Sequence, residues 1–271
     1  MKSVLRMSSA GLAVAFAAVT PAAITFHEAA IFEVYTQASS AAPVTPSFAS
    51  FSARIFTNVA DQVTAGTVTT PSAGTKNLTP ISSTVTGFID DDFADRAAAQ
   101  AVYGAGNYTF TVDGGVFDGA SDTVNFQNPG FATTVPHLTG DSWDDLQNLD
   151  PSDSLTLTWN NFTAPGDHTA LRTYLNIFNI TQGTSVYANS GAPGSFLSEN
   201  FAAGTFQVGN QYQFTLTYGS LTQSAGTGSF SSSFRTGSHY LQTRGTFTPV
   251  PEPATFALLG LGALALRRRR K

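Results

Sequence analysis

The sequence predicts an all-β protein built as two β-sandwich-like modules with one or two short helices. Three observations predict it. Short runs of β-branched and aromatic residues alternate with Thr, Ser and Gln. Gly, Pro, Asn and Asp punctuate those runs. The 24 glycines and 22 phenylalanines stand beside only 11% charged residues, which excludes a disordered or coiled-coil chain. At 271 residues there is chain enough for one large domain or two ordinary ones. No cysteine occurs, so neither a disulfide framework nor thiolate chemistry is available.

The first element is an address. Lys2 and Arg6 precede an apolar run over residues 10–19 and the small-residue exit Thr20-Pro21-Ala22-Ala23. That is the layout of a secretory signal peptide, assigned to residues 1–23 with cleavage near Ala22 or Ala23. The run falls short of the roughly 20 apolar residues that a membrane span needs.

Residues 24–130 form the expected N-terminal β-rich module. Strand-like runs lie at 31–35, 53–56, 66–70 and 83–88, separated by Pro71, Gly74 and Pro80. A short helix is expected near 91–103. Asp90, Asp91 and Asp92 would cap it, Phe93, Ala97 and Ala101 share one face, and Gly104 and Gly106 stop it. Tyr108, Phe110 and Val112 then alternate with threonines ahead of Asp113-Gly114, a strong hairpin signal.

Residues 131–248 form the second expected module. A helix is expected over 142–149, where Ser142 and Asp145 have capping-box spacing and Pro151 blocks continuation. Leu155, Leu157 and Trp159 alternate with threonines. The run 171–180 has apolar residues in both phases, as a doubly covered central strand would. Tyr212, Phe214, Leu216 and Tyr218 alternate again, residues 219–233 read as a mobile Ser/Gly-rich loop, and 239–247 is the last strand. No fixed-period repeat is visible, which disfavours a propeller or solenoid.

Phe206-x-x-Gly209-x-x-Tyr212 resembles the tyrosine corner of fibronectin type III domains, and the run ending at Trp159 resembles their core-tryptophan strand. Val208 and Asn210 depart from that family's usual Pro and Thr. The resemblance implies a fibronectin- or immunoglobulin-like sandwich with a structural or adhesive role, and Tyr212 buried in the corner.

The tail, residues 249–271, is the most specific segment. Val250-Pro251-Glu252-Pro253 precedes thirteen mostly apolar residues, 254–266, and the cluster Arg267, Arg268, Arg269, Arg270 and Lys271. A helix of that length reaches only about 20 Å, and the basic cluster would hold its end in the cytoplasm. Motif, short helix and basic cluster in this order resemble the PEP-CTERM sorting signal. The resemblance implies that Pro251, Glu252 and Pro253 are read by an exosortase, a membrane cysteine transpeptidase that removes the helix. It implies transient insertion in the inner membrane, then residence in the cell envelope or outside the cell, with exopolysaccharide as a candidate partner.

Without both addresses, six basic and 17 acidic residues remain between 24 and 250, a net charge of −11. Such a body repels nucleic acid and anionic lipid. Twelve aspartates between Asp90 and Asp153 face one base, Arg96. Of these, Asp141, Asp144, Asp145, Asp150 and Asp153 are candidate oxygen ligands for Ca²⁺, although caps and turns explain aspartates more economically. Trp143 is a candidate for stacking on a sugar ring, against the plainer reading of a half-buried cover over the sheet. Trp159 is in phase with the core. His27, His137, His168 and His239 are scattered, and no hydrolase, zinc-protease or nucleotide motif occurs. The expectation is therefore a non-catalytic, cofactor-free surface or matrix protein. An extracellular carbohydrate-binding module or hydrolase is the alternative.

Overall fold

The computed structural model describes residues 21–127, 132–163, 168–230 and 234–250. The signal segment up to residue 20 and the tail from Pro251 lie outside them, as do Pro251, Glu252, Pro253 and the terminal basic cluster.

The first half contributes β1 (Ile24–Thr36), β2 (Pro46–Thr57), β3 (Gly66–Thr70), β4 (Gly74–Ser82), β5 (Val85–Phe93), α1 (Arg96–Val102), β6 (Gly106–Val112) and β7 (Ser121–Phe126). The second contributes α2 (Ser142–Gln147), β8 (Leu155–Thr158), β9 (Ala170–Asn179), β10 (Thr184–Gly191), β11 (Ser198–Phe201), β12 (Tyr212–Ala225), the 3₁₀ turn Gly228–Phe230 and β13 (Phe234–Phe247). The protein is mostly β with two short helices. Its architecture differs from the expected pair of sandwiches. One mixed sheet of eleven strands runs β10-β9-β12-β13-β1-β2-β5-β4-β3-β6-β7, and β8 and β11 form a separate two-stranded sheet.

The sheet crosses the expected boundary between modules through the first and last strands. β1 pairs with β13 in parallel from Phe26↔Phe234 to Thr36↔Arg244, and with β2 antiparallel on its other side. Parallel neighbours cannot be joined by a tight turn, and here the whole chain is the connection. The fibronectin-like module is thus not confirmed, because its strands continue into β1 and β2 instead of closing on themselves.

A second layer covers one face of this sheet. β4 changes partners along its length: Gly74–Leu78 pair with β3, and Thr79 to Ser82 with β5. The chain thereby turns β3, β6 and β7 over the sheet's inner face. Phe51, Tyr103, Tyr108, Phe110 and Phe126 are fully buried between the layers, with Phe51 stacked on Tyr103 at 4.1 Å. Each such ring contributes about 1.5–3 kcal/mol by leaving water. Gly237 on β13 permits the close approach, since a Cβ there would lie 2.9 Å from Phe126 Cδ2. Over the other half of the same face lie α2 and the small sheet, with Trp143 edge-on to Phe214 and Phe162 stacked on Tyr218.

Local differences have local causes. Asp90, Asp91 and Asp92 belong to β5 and cap nothing; α1 begins later, at Arg96, where Asp95 Oδ1 accepts from Ala98 N at 2.9 Å. The N-cap position of α2 is Asp141, without a side-chain cap, while Ser142 Oγ is engaged by Thr158. The Ser/Gly-rich stretch from 219 is strand as far as Ala225, because Tyr212 to Ala225 pairs without a break against β13. β9 alternates inward and outward, Leu175 and Ile177 buried but Phe178 43% exposed, since it is one strand from the edge. The tyrosine corner itself forms: Gly209 takes φ 82°, Tyr212 is buried, and its hydroxyl accepts from Gln207 N at 2.8 Å.

Candidate functional site

The sheet's outer face is where partly exposed chemistry collects. Registers Glu28↔Arg54, Ala30↔Ser52, Phe32↔Ser50 and Val34↔Phe48, with Phe32↔Tyr240 and Thr36↔Arg244 on the other side, place these side chains on one face. Small residues at Ala30, Ser50, Ser52 and Ser238 leave low ground between large ones at Phe32, Phe48, Arg54, Tyr240 and Arg244. The result is a trough of two adjoining hollows. One, of ≈ 360 Å³, is lined by Phe32, Ser50, Ser52, Arg54, Ile89, Asp91 and Gln242; the other, of ≈ 480 Å³, by Thr36, Gln37, Trp143, Gln147, Gln213 and Thr246. Val34, Phe48 and Arg244 border both.

Beside it, joined through Arg54, is a buried ionic cluster. Glu28 is 2% exposed and accepts from Arg54 Nη2 and, at 3.2 Å, from the Tyr240 hydroxyl. The Arg54 guanidinium lies 5.4 Å from the Phe32 ring centre and 5.5 Å from that of Phe56, within cation–π range. Phe32 in turn stacks on Tyr240 at 4.6 Å. Burial first, and then the Glu28 carboxylate, push the Tyr240 hydroxyl well above its ordinary value; the same two causes raise Tyr174 beside it. Arg54 Nε and Ser52 Oγ are buried without a hydrogen-bond partner among the described residues.

Arg244 differs from Arg54. Its Nε donates to Gln242 Oε1 at 2.8 Å and its guanidinium sits 5.5 Å from the Phe48 ring centre. Among the described residues no carboxylate pairs with it. Burial disfavours its charged form and lowers its pKa from the ordinary arginine value.

The inner face carries a different cluster. Asp122 on β7 accepts from Arg235 Nη1 at 3.0 Å and from Thr227 N and Oγ1 at 3.0 and 2.7 Å, and His27 Nε2 lies 3.3 Å away. Burial works to raise the Asp122 pKa, but the Thr227 hydroxyl, two backbone amides and His27 outweigh it and hold it low. Burial lowers His27 to about 4, against the opposing pull of Asp122, and lowers His239 to about 3. This cluster ties β7 to β1 and β13.

The residues singled out from sequence are placed apart from both clusters, with one exception. Asp141, Asp144 and Asp145 are exposed at the start of α2, where carboxylates suit the helix dipole. Asp150 Oδ1 accepts from Ser152 N at 2.8 Å in a turn that also includes Asp153. Among the described residues no group of three or more His, Cys, Asp or Glu is arranged to hold a metal ion. The exception is Trp143. It is 9% exposed, packed against Phe214, and is among the residues lining the wider hollow. Sequence reasoning passed over Phe32, Phe48, Arg54 and Arg244. The signal available for them was the alternation Phe48, Ser50, Ser52, Arg54, Phe56, which sets large and small side chains on one face of a strand.

Comparison with known proteins bears mainly on the tail. No curated protein matches the chain. Among solved structures, Escherichia coli alpha-2-macroglobulin activated by porcine elastase is 11% identical with a TM-score of 0.26, over 81% of this chain and 20% of that one. Salmonella alpha-2-macroglobulin reacted with methylamine is 10% identical with a TM-score of 0.26, over 86% and 15%. The chain spans a fifth or less of those proteins, and likenesses at such TM-scores assign neither fold nor function. Residues 249–271 match the family model of the PEP-CTERM protein-sorting motif. The chain carries that motif at its C-terminus, and the motif implies an exported protein sorted to the cell surface by an exosortase.

Proposed function

We propose that this is a non-catalytic cell-surface or extracellular-matrix protein whose body is a recognition platform delivered by a removable tail. The observation that supports the reading is the abutment of body and motif. β13 ends at Phe247, Val250 N still donates to Leu149 O at 3.0 Å, and Pro251 is the next residue. Cleavage at the motif would therefore release a finished body with almost no residual stalk. The helix of 254–266 would act as a temporary stop in the inner membrane, with Arg267 to Lys271 fixing its orientation.

Mass spectrometry of the exported protein tests this. A mature form ending near Pro253, and a membrane-retained precursor when Pro251 and Glu252 are changed to Ala, are expected. Retention of Arg267 to Lys271 in the mature protein would make the tail a permanent anchor. A second reading, carbohydrate binding, is favoured by the trough, whose aromatic rings and planar polar side chains are the groups that recognise sugars.

A further inference from the structure

We infer that the outer-face trough binds a segment of carboxylated polysaccharide, a chain of uronic-acid type. The inference rests on the carbohydrate-binding reading of the trough and adds to it the sign of the ligand's charge and the residue that reads it.

The first argument is electrostatic. Three of the six cations between residues 24 and 250, namely Arg54, Arg172 and Arg244, lie on the outer face of the main sheet. The acids beside them are Glu28, buried and already paired with Arg54, and Asp91. Three cations against two acids leave this face at about +1 while the body as a whole is at −11, so the acidic charge resides elsewhere and an anion is not repelled here.

The second is local. Arg244 is a half-buried guanidinium with its Nε held by Gln242 and its plane over Phe48, and it has no acidic partner among the described residues. Its terminal nitrogens make no hydrogen bond there. A desolvated, pre-oriented fork of this kind is matched by a carboxylate, which accepts two parallel hydrogen bonds. Ser52 Oγ, also unpartnered and in a residue only 3% exposed, lines the same trough and suits a sugar hydroxyl.

The third is shape. Two hollows of ≈ 360 and ≈ 480 Å³ adjoin across β2, β1 and β13, sharing Val34, Phe48 and Arg244. An open, elongated site of this size takes consecutive units of a polymer. Phe48, which borders both hollows, supplies apolar ring surface for the carbon face of a pyranose unit.

The test is calorimetric titration of the exported, processed protein with a galacturonate hexamer, and in parallel with cellohexaose, its neutral counterpart. Galacturonate should bind, weaken at high salt, and lose affinity about tenfold or more in Arg244→Gln, as the loss of a charge-assisted fork requires. Arg172→Gln should cost less, and melting temperatures should not move. Cellohexaose should bind far more weakly. Equal binding of both hexamers would overturn the anionic inference while leaving a carbohydrate site. Binding of neither overturns both readings. Unchanged affinity in Arg244→Gln removes the site from this trough. Self-association abolished by Arg244→Gln, without glycan binding, would assign the face to a second copy of the chain and overturn the proposal.

Discussion

The two faces of the sheet around β1 each hold a buried carboxylate paired with an arginine that is about a quarter exposed, in different company. Inward, Asp122 meets Arg235 with Thr227 and a backbone amide completing its hydrogen bonds. Outward, Glu28 meets Arg54, whose Nε, like Ser52 Oγ beside it, has no hydrogen-bond partner among the described residues, and both Arg54 and Ser52 line an open hollow. A carboxylate whose two oxygens are both answered several times over fixes one arrangement of the chain; an ion pair bordering an open hollow of the sheet's outer face is placed to meet a ligand. The difference is between a lock and a receptor.

The largest effect should come from acid on the inner face. His27 and His239 are held neutral in the fold, at about 4 and about 3, against an ordinary value of 6.5. The unfolded chain takes up protons first, so stability is full above about pH 6.5 and falls as pH drops toward those values. The unfolding free energy from urea titrations between pH 7 and 4 should decline by about 1 kcal/mol or more per pH unit. A flat profile would mean the inner face is not dry. Next, Asp122→Ala should cost about 3–5 kcal/mol at pH 7, because it leaves Arg235 and Thr227 without their acceptor. Glu28→Gln should cost less, about 1–3 kcal/mol, since the amide oxygen can still accept a hydrogen bond where Asp122→Ala leaves no acceptor at all. Equal losses for these two variants would erase the contrast between faces. Tyr212→Phe removes the hydroxyl that accepts from Gln207 N at 2.8 Å and, at 3.5 Å, from Asn210 Nδ2, for about 1 kcal/mol by thermal or urea unfolding. Arg244→Gln should change stability by less than about 0.5 kcal/mol, as expected of a side chain whose use is external.

Much of the strand inventory is legible in the sequence, and the reason is periodicity. Tyr108, Phe110 and Val112, and Tyr212 to Tyr218, announce strands because one of their faces is buried and the other is not. The corner at Tyr212 was readable for a similar reason: Gly209, Tyr212 and their spacing are all local. β1 is harder, since most of its residues are buried in both phases and its first residues adjoin the signal segment. Its pairing with β13 joins residues more than 200 positions apart, and no local pattern encodes that. Asp90 to Asp92 looked like helix caps because aspartate has that local preference, but pairing with β2 overrides it. The trough needs side chains from β1, β2, β5 and β13 at once, so its residues become a site only after the sheet exists.

The parallel pairing of the first strand with the last sets a timetable. β1 is among the first parts of the body to leave the translocation machinery, yet one of its edges stays open until residues 234–247 arrive. Contacts of such sequence separation are slow to form, and an open strand edge in a crowded compartment invites pairing with other chains. Completion of the sheet and emergence of the processing motif are thus nearly simultaneous, with three residues between Phe247 and Pro251. A chain cut short anywhere before Phe247 loses both together: it has no sorting motif, and it exposes a central strand to whatever protease or neighbour meets it first.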